Sequence, residues 1–172
     1  EAAILFGRGC CFDCGFCIVP FLFRHRIRFR SIEKVIADMK YLYEHIENKG
    51  RTPFIAFSDD NVVVNRKRIL DFCYRLQKAR MKFLRWGAYG RVNLMDGVMM
   101  KKMAESGCRR IYFGVESGSD RVLKKLRKGF TSQMAIDSIL KAKKYFPDDG
   151  VVASFIYGFP YETLEDFNQT IL

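Results

Sequence analysis

The chain has 172 residues, of which 49% are hydrophobic and 28% are charged, and its formal net charge is +11. This length suits a single domain with a sizeable core, and the balance of residues excludes a disordered or low-complexity protein. No apolar run approaches the roughly 18 residues that a membrane span needs, and AAILF is too short for a signal peptide. Lysine and arginine are spread over several predicted helix faces, so the charge indicates a solvated surface more than a nucleic-acid site.

The first half of the chain predicts three strands with helices between them. AAILFG, which ends in a glycine, has the pattern of a buried strand. Ser31 is a candidate N-cap for a helix whose apolar positions recur at helical spacing as far as Gly50. The second strand covers residues 53–58, Asn65 caps the next helix, and the third strand covers residues 83–89.

The second half continues the alternation of helices and strands. Its two predicted strands cover residues 110–116 and 151–158. The predicted helices begin after capping residues, which are Asp96, Ser119, Thr131 and, with Asp166 in a capping box, Thr163. Five strands that alternate with helices predict an α/β fold with a parallel sheet, either as a barrel or as an open doubly wound sheet.

Polar and glycine-rich residues follow each predicted strand. In parallel α/β folds the residues that handle ligands gather at the carboxyl ends of the strands. The segments at those ends are GRGCC, FSDDN, AYGR, GVESGS and YGFPYET. Their agreement across all the strands predicts a ligand site at that end of the sheet.

Four of the six cysteines lie within the eight residues CCFDCGFC. Cys10, Cys14 and Cys17 have the spacing C-x3-C-x2-C, whereas Cys11 with the last two has the C-x2-C-x2-C spacing of ferredoxins. Clustered soft thiols indicate an iron–sulfur cluster or zinc rather than disulfides. Zinc is less favoured, because Cys10 and Cys11 are adjacent and no second C-x2-C or H-x3-H pair follows. Three cysteines on a four-iron cluster leave one iron open to a substrate or cofactor.

CCFDCGFC, with Phe16 before its last cysteine, resembles the signature of radical S-adenosylmethionine (SAM) enzymes. The resemblance implies a [4Fe–4S] cluster on Cys10, Cys14 and Cys17, SAM on the fourth iron, and Phe16 at the cofactor. It implies cleavage of SAM to a 5′-deoxyadenosyl radical, with an electron donor such as flavodoxin or ferredoxin, in the cytoplasm. The implied fold is a partial (β/α) barrel, with parallel strands and outer helices. We expect residues 1–172 to form a fragment of this core domain that is truncated at both ends.

Three further segments resemble SAM-binding parts of this family. SDDN corresponds to the contact with the SAM amino group, and there we prefer Asp59 to Asp60. GVESGS implies that Glu116 and Ser117 reach the ribose or the methionine part of SAM. SFIYGFPYET implies that Gly158 flanks the adenine.

One position departs from the pattern of the family. Cys11 stands directly after the first cysteine of the signature, where Pro or Asn is usual. We prefer Cys10 to Cys11 as the ligand, because C-x3-C-x2-C is the spacing that aligns the downstream segments.

Within the family the resemblance is strongest to the cobalamin-binding radical SAM proteins, through CIVPFLFRHRIRFRS, FSDDNVVVNRKR and SGCRRIYFGVESGS. It implies methylation or rearrangement of an unactivated carbon, with cobalamin on a domain that this chain lacks. The tRNA methylthiotransferases, which share a C-x-VP…R-x-R run, are the alternative. A zinc-stabilised module that binds nucleic acid through RHRIRFR is an alternative from another class. The third alternative is a folded fragment that is too incomplete to hold a cluster.

Several other residues have a structural and a functional interpretation. Arg91 ends the third strand, and it either pairs with a carboxylate or has no role. RHRIRFR is interpreted equally as a strand edge with solvated arginines and as a face for an anionic ligand. His25 and His45 are expected at the surface. The residues expected in the core are Trp86, Tyr89, Phe155, Cys73, Cys108 and the methionines around Met99.

Overall fold

The main sheet has five parallel strands. The computed structural model describes residues 2–47, 50 and 53–171. Numbered in chain order with two short hairpin strands, the sheet strands are β1 (Ala2–Ile4), β4 (Phe54–Phe57), β5 (Arg85–Gly90), β6 (Cys108–Glu116) and β7 (Val151–Phe155). They lie in that order, and each neighbouring pair is parallel. The predicted α/β fold is confirmed, and the edges at β1 and β7 are those of a partial barrel.

Helices connect the strands within the described part of the chain. They are α1 (Val19–Leu22), α2 (Ile32–Glu47), α3 (Arg66–Lys78), α4 (Gly97–Glu105), α5 (Asp120–Lys125), α6 (Ser132–Ala142) and α7 (Leu164–Ile171). Short 3₁₀ turns cover Val62–Val64, Val92–Leu94 and Asp148–Gly150. In the ranges described, no helix is long and apolar enough to cross a membrane.

The predicted helix starts are confirmed by hydrogen bonds. At four N-caps the side chain accepts from the N–H three residues on; these are Asn65, Asp96, Ser119 and Thr131. Lys34 N donates to Ser31 Oγ over 3.4 Å at the start of α2. Thr163 N donates to Asp166 Oδ2 over 2.9 Å, and Asp166 N donates to Thr163 Oγ1 over 3.2 Å. The last pair is the predicted capping box.

The core lies between the sheet and the helices around four aromatic rings. Phe6, Phe57, Phe72 and Trp86 are at most 1% exposed, and their rings meet edge to face at centroid distances of 5.1–5.6 Å. Edge-to-face pairs stabilise a core beyond the area that they bury. The methionines of α4 also lie in this core, as predicted.

Cys73 and Cys108 are buried in the same core, so their prediction as small apolar residues is confirmed. Burial raises the pKa of the Cys73 thiol to about 11 and that of the Cys108 thiol still higher. Because the thiolate is the reactive form, neither residue is suited to nucleophilic or metal chemistry at neutral pH.

Two of the predicted core aromatics are exposed. Tyr89 is 49% exposed and Phe155 is 48% exposed, whereas Trp86 is fully buried. Successive side chains of a strand point to opposite faces, so Tyr89 lies on the face away from Trp86 and Ala88. Phe155 ends β7, which is an edge strand. Their prediction as core residues is therefore wrong.

The RHRIRFR segment is a strand only in part. Arg28–Phe29 forms β3, which pairs antiparallel with β2 (Gly7–Arg8). Arg24 and His25 have φ angles of +52° and +57°, which interrupt any regular alternation. Arg24 and Arg28 are exposed, and His25 Nε2 lies 3.6 Å from an oxygen of Asp13 at the surface. The exposed position predicted for His25 is confirmed.

Candidate functional site

The carboxyl ends of β4, β5, β6 and β7 surround a cavity of about 270 Å³. The predicted residues that line it are Cys10, Cys14, Cys17, Phe16 and Glu116. The cysteine loop is held over the cavity by Gly15 N, which donates to Leu126 O over 2.9 Å. Asp13 of the loop also pairs with Arg127 over 3.1 Å, but both side chains are exposed, so this pair adds little. A larger cavity of about 710 Å³ lies beside β1 and the β2–β3 hairpin, but its lining includes no cysteine of the described chain.

The four clustered cysteines divide into three and one. Cys10, Cys14 and Cys17 are half-buried and line the cavity, whereas Cys11 is exposed and lies outside the lining. Cys17 N donates to Cys14 O over 3.0 Å, which forms a tight turn between these two thiols. Burial raises the pKa of the Cys10 thiol above its usual value, in opposition to a backbone hydrogen bond at Phe12.

The donor set fits a cluster better than a single ion. Within residues 2–47, 50 and 53–171, no three cysteine, histidine or carboxylate side chains are arranged to hold one metal ion. An iron–sulfur cluster binds each thiolate through a different iron, so its ligands need only face a shared space. The three thiols around the cavity meet that requirement.

Arg91 follows β5 and reaches the cysteine loop. Its Nη1 donates to Cys14 Sγ over 3.2 Å, and its Nε donates to Asn93 Oδ1 over 3.0 Å. The guanidinium lies 4.1 Å from the centre of the Phe12 ring and 5.4 Å from that of Phe130. The sequence left open whether Arg91 pairs with a carboxylate or has no role, and the structure shows a contact with a thiol.

Glu116 lines the cavity as an ion pair with Lys128. The ammonium lies 3.0 Å from Glu116 Oε1 and 2.8 Å from Gly114 O, and both charged side chains are buried. Glu116 has φ +75° where the register of β6 with β7 shifts. Sequence reasoning missed Lys128. In the structure its two neighbours, Arg127 and Gly129, both have positive φ angles.

Asp59 and Asp60 have different contacts, and the preference for Asp59 as the SAM contact stays a prediction. Asp59 Oδ2 accepts from Phe6 N over 2.7 Å and its Oδ1 accepts from Gly7 N, so both oxygens fix the chain after β1. Burial raises the pKa of the Asp59 carboxyl to about 6, in opposition to these two N–H donors. Asp60 lines the cavity instead, and it accepts from Gly9 N over 3.2 Å.

Ser117 and Gly158 lie outside the cavity lining. Ser117 is fully buried, and its hydroxyl accepts from Ser119 N over 3.1 Å at the start of α5. Gly158, with φ +93°, lies in the loop after β7, where its N–H donates to Glu162 Oε2 over 2.7 Å. The same loop brings the Phe159 ring to 6.2 Å from that of Phe16. The hydroxyl of Ser117 thus has a partner at the start of α5, and Gly158 lies in a loop near the cavity. The predicted contacts of both residues with SAM stay predictions.

Two further residues at strand ends line the cavity without having been predicted. Tyr89 of β5 faces it with its ring stacked on that of Tyr112 at 5.0 Å. Ser154 of β7 lines the opposite side, and its hydroxyl donates to Phe113 O over 3.4 Å. The signal that identifies both is their place at the carboxyl end of a parallel strand.

The chain is similar in sequence to known proteins over nearly its whole length. The profile of the Radical SAM superfamily matches residues 4–172. An uncharacterized methyltransferase of Pyrococcus horikoshii is 38% identical over 168 residues, which are 98% of this chain and 35% of that protein. A tRNA-2-methylthio-N(6)-dimethylallyladenosine synthase of Clostridium perfringens is 31% identical, over 95% of this chain and 37% of that protein. The chain therefore spans about a third of the length of these curated relatives.

Solved structures share the fold at lower identity. The cobalamin-dependent S-adenosylmethionine radical enzyme OxsB superposes with a TM-score of 0.84 at 21% identity, over 98% of this chain and 25% of OxsB. TsrM, a radical SAM methyltransferase of Kitasatospora setae, superposes with a TM-score of 0.83 at 18% identity, over 99% of this chain and 32% of TsrM. These structures confirm the fold, and the match over residues 4–172 shows that the chain belongs to the radical SAM superfamily of enzymes.

Proposed function

We propose that the chain is the core of a radical SAM enzyme whose [4Fe–4S] cluster is held by Cys10, Cys14 and Cys17. The observation that carries this proposal is that these three thiols line one cavity while Cys11 is exposed outside it. When bound, the reduced cluster supplies the electron that cleaves SAM to methionine and a 5′-deoxyadenosyl radical. The residues of the chain bind and orient these groups.

The polar lining of the cavity supports SAM binding beside the thiols. Asp60 and Asn61 place oxygen acceptors at the end of β4, where a SAM amino group would donate. Glu116 and Lys128 place a carboxylate and an ammonium on the opposite wall, suited to hydroxyl and carboxylate groups. Phe16 offers an aromatic face to the adenine, and the loop of Gly158 lies beside it.

For the whole protein we propose methylation or rearrangement of an unactivated carbon, with cobalamin bound by another domain. The Pyrococcus relative is described as a methyltransferase, and OxsB and TsrM are described as cobalamin-bound radical SAM enzymes. Residues 1–172 would then be one core domain of a longer chain, since they span about a third of the relatives. An electron donor such as flavodoxin or ferredoxin would reduce the cluster, in the cytoplasm.

A methylthiotransferase-like core is the second candidate. It is favoured by relatives that are 30–31% identical and carry the name of a tRNA-modifying synthase. Its substrate would be an adenosine of tRNA. The zinc-stabilised nucleic-acid module loses its support, because the superfamily match extends over nearly every residue of the chain.

The test is anaerobic reconstitution of the full-length protein with iron and sulfide, followed by electron paramagnetic resonance of the reduced sample with and without SAM. Because Cys10 lines the cavity and Cys11 does not, the two substitutions Cys10→Ala and Cys11→Ala are a matched pair. We expect about four irons per core and a spectrum that SAM changes. Cys10→Ala is expected to lose the signal, and Cys11→Ala is expected to keep it.

Three results would contradict this proposal. A protein that takes up one zinc and gives no iron signal would exclude the cluster. Loss of the signal in Cys11→Ala alone would move the ligand set to Cys11, Cys14 and Cys17. Retention of the cluster with no response to SAM would leave a cluster protein without the proposed reaction.

A further inference from the structure

Arg91 is a buried cation whose partner is a thiol. The residue is 8% exposed, and its Nη1 lies 3.2 Å from Cys14 Sγ. In the part of the chain that the structure describes, its other partners are the side-chain oxygen of Asn93 and the rings of Phe12 and Phe130. No carboxylate of that part pairs with it.

A buried guanidinium without an anion is unfavourable. A charge that moves out of water loses its solvation, and this is unfavourable unless an opposite charge or strong hydrogen bonds replace the solvent. Arginine does not escape this cost by losing its proton, because the guanidinium stays protonated in proteins. Arg91 lines the cavity and donates to Cys14, so this contact points to the group bound by the thiolates as its anion.

The guanidinium is also held in one orientation. Its Nε is fixed by Asn93, which belongs to the 3₁₀ turn directly after Arg91. Phe12, within the cysteine loop, packs 4.1 Å from the guanidinium, and Phe130 after α5 packs at 5.4 Å. A donor fixed by a hydrogen bond and two rings directs its N–H at the sulfur without a further loss of side-chain entropy.

We propose that Arg91 is a positioning residue that acts through Cys14 to raise the reduction potential of the cluster. The inference rests on the proposed function. Reduction adds one electron to the cluster irons from an external donor, and no bond forms or breaks in that step. A fixed positive charge and an N–H directed at a ligand sulfur both stabilise the added negative charge, and such contacts are known determinants of cluster potential.

Lys128 does not perform this function. Its ammonium is paired with Glu116 at 3.0 Å, so the pair is close to neutral, and its other hydrogen bond is to Gly114 O. Arg91 therefore differs from Lys128 in having a thiol where the lysine has a carboxylate. Because their partners differ, we expect Arg91 to affect the group bound by the thiolates and Lys128 to affect the ligand beside Glu116.

The experiment measures the midpoint potential of the reconstituted cluster in the full-length protein without SAM, by dithionite titration followed by electron paramagnetic resonance. Arg91→Gln removes the charge, and Arg91→Lys keeps it without the planar fork. We expect Arg91→Gln to change the ratio of oxidised to reduced cluster about tenfold at a fixed solution potential, a lowering of about 59 mV for one electron. Arg91→Lys is expected to lower the potential by a smaller but measurable amount, because it keeps the charge and loses the N–H that the fork directs at Cys14.

Arg127→Gln is the matched control. Arg127 contacts the same cysteine loop through Asp13, but it is exposed and donates to no thiol in the described structure. The substitution Arg127→Gln removes one positive charge beside the loop, so it separates a general effect of charge from the contact with Cys14. We expect its ratio to change less than about twofold, because exposed charges are screened.

The outcomes distinguish this inference from the proposed function. If the unsubstituted protein takes up no iron, the proposed function fails. If it takes up iron and Arg91→Gln keeps its potential, only the inference fails. An unchanged potential with loss of the response to SAM would assign Arg91 to SAM binding and overturn the inference. If Arg91→Gln binds no iron, Arg91→Lys carries the test, and an unshifted potential there overturns it.

Discussion

Replacement of Lys128 by methionine is expected to destabilise the apoprotein by about 3–5 kcal/mol. The side chains of Lys128 and Glu116 are 5% and 9% exposed, and their charged atoms lie 3.0 Å apart. At an effective dielectric constant of about 20, attraction over this distance is on the order of 5 kcal/mol. Methionine has a similar volume, so the loss comes from leaving Glu116 charged and Gly114 O without its donor rather than from a cavity.

The measurement is urea unfolding followed by the fluorescence of Trp86, the single tryptophan of the 172 residues, which is fully buried. The double variant Lys128→Met with Glu116→Gln removes the isolated charge, so we expect it to recover about half of the loss or more. Lys124→Met, an exposed lysine of α5, is the control and should change stability by less than about 0.5 kcal/mol. Additive effects of the two substitutions, or a loss below about 1 kcal/mol, would refute the buried pair.

Two other predictions concern the core and the chain after β1. Phe72→Ala should lower the free energy of unfolding in urea by about 3–5 kcal/mol, because Phe72 is fully buried against three aromatic rings. A loss under about 1 kcal/mol would contradict this packing. Burial raises the pKa of Asp59 from 3.8 to about 6, so the folded chain holds this proton more tightly than the unfolded chain. The contribution of Asp59 to stability should fall as pH rises from about 4 to about 6, and Asp59→Asn should remove that slope in unfolding at several pH values.

Helix starts could be predicted from the sequence because they depend on near neighbours. Asn65, Asp96 and Thr131 each need only a side-chain oxygen and an N–H three residues further on. The alternation of strands and helices predicts a parallel sheet, but it leaves the strand order open between a barrel and a doubly wound sheet. The position of Tyr89 is not predicted either, because alternation shows that Tyr89 and Trp86 lie on opposite faces but not which face the helices cover.

The details of the site depend on contacts that are distant in sequence. Asp59 and Asp60 are adjacent and chemically identical, and the N–H groups of Phe6 and Gly7, more than 50 residues away, decide between them. Arg91 meets Cys14 across 77 positions of the chain. A motif identifies which residue types gather at the strand ends, whereas the fold decides which of two neighbours faces the ligand.

The two buried cations of the cavity have different partners, so under the proposed function they would act on different ligands. Lys128 lies opposite Glu116, so that wall presents paired charges, which suit a ligand with hydroxyl, amino and carboxylate groups. Arg91 has no such counterion in the described chain, so its charge is directed at the thiols. Nearby charge and hydrogen bonds to the sulfurs both affect the potential of a cluster, so a carboxylate partner for Arg91 would weaken its proposed effect. The net charge of the chain therefore says less about the site than the positions of Arg91, Lys128 and the Glu116 carboxylate at the end of β6.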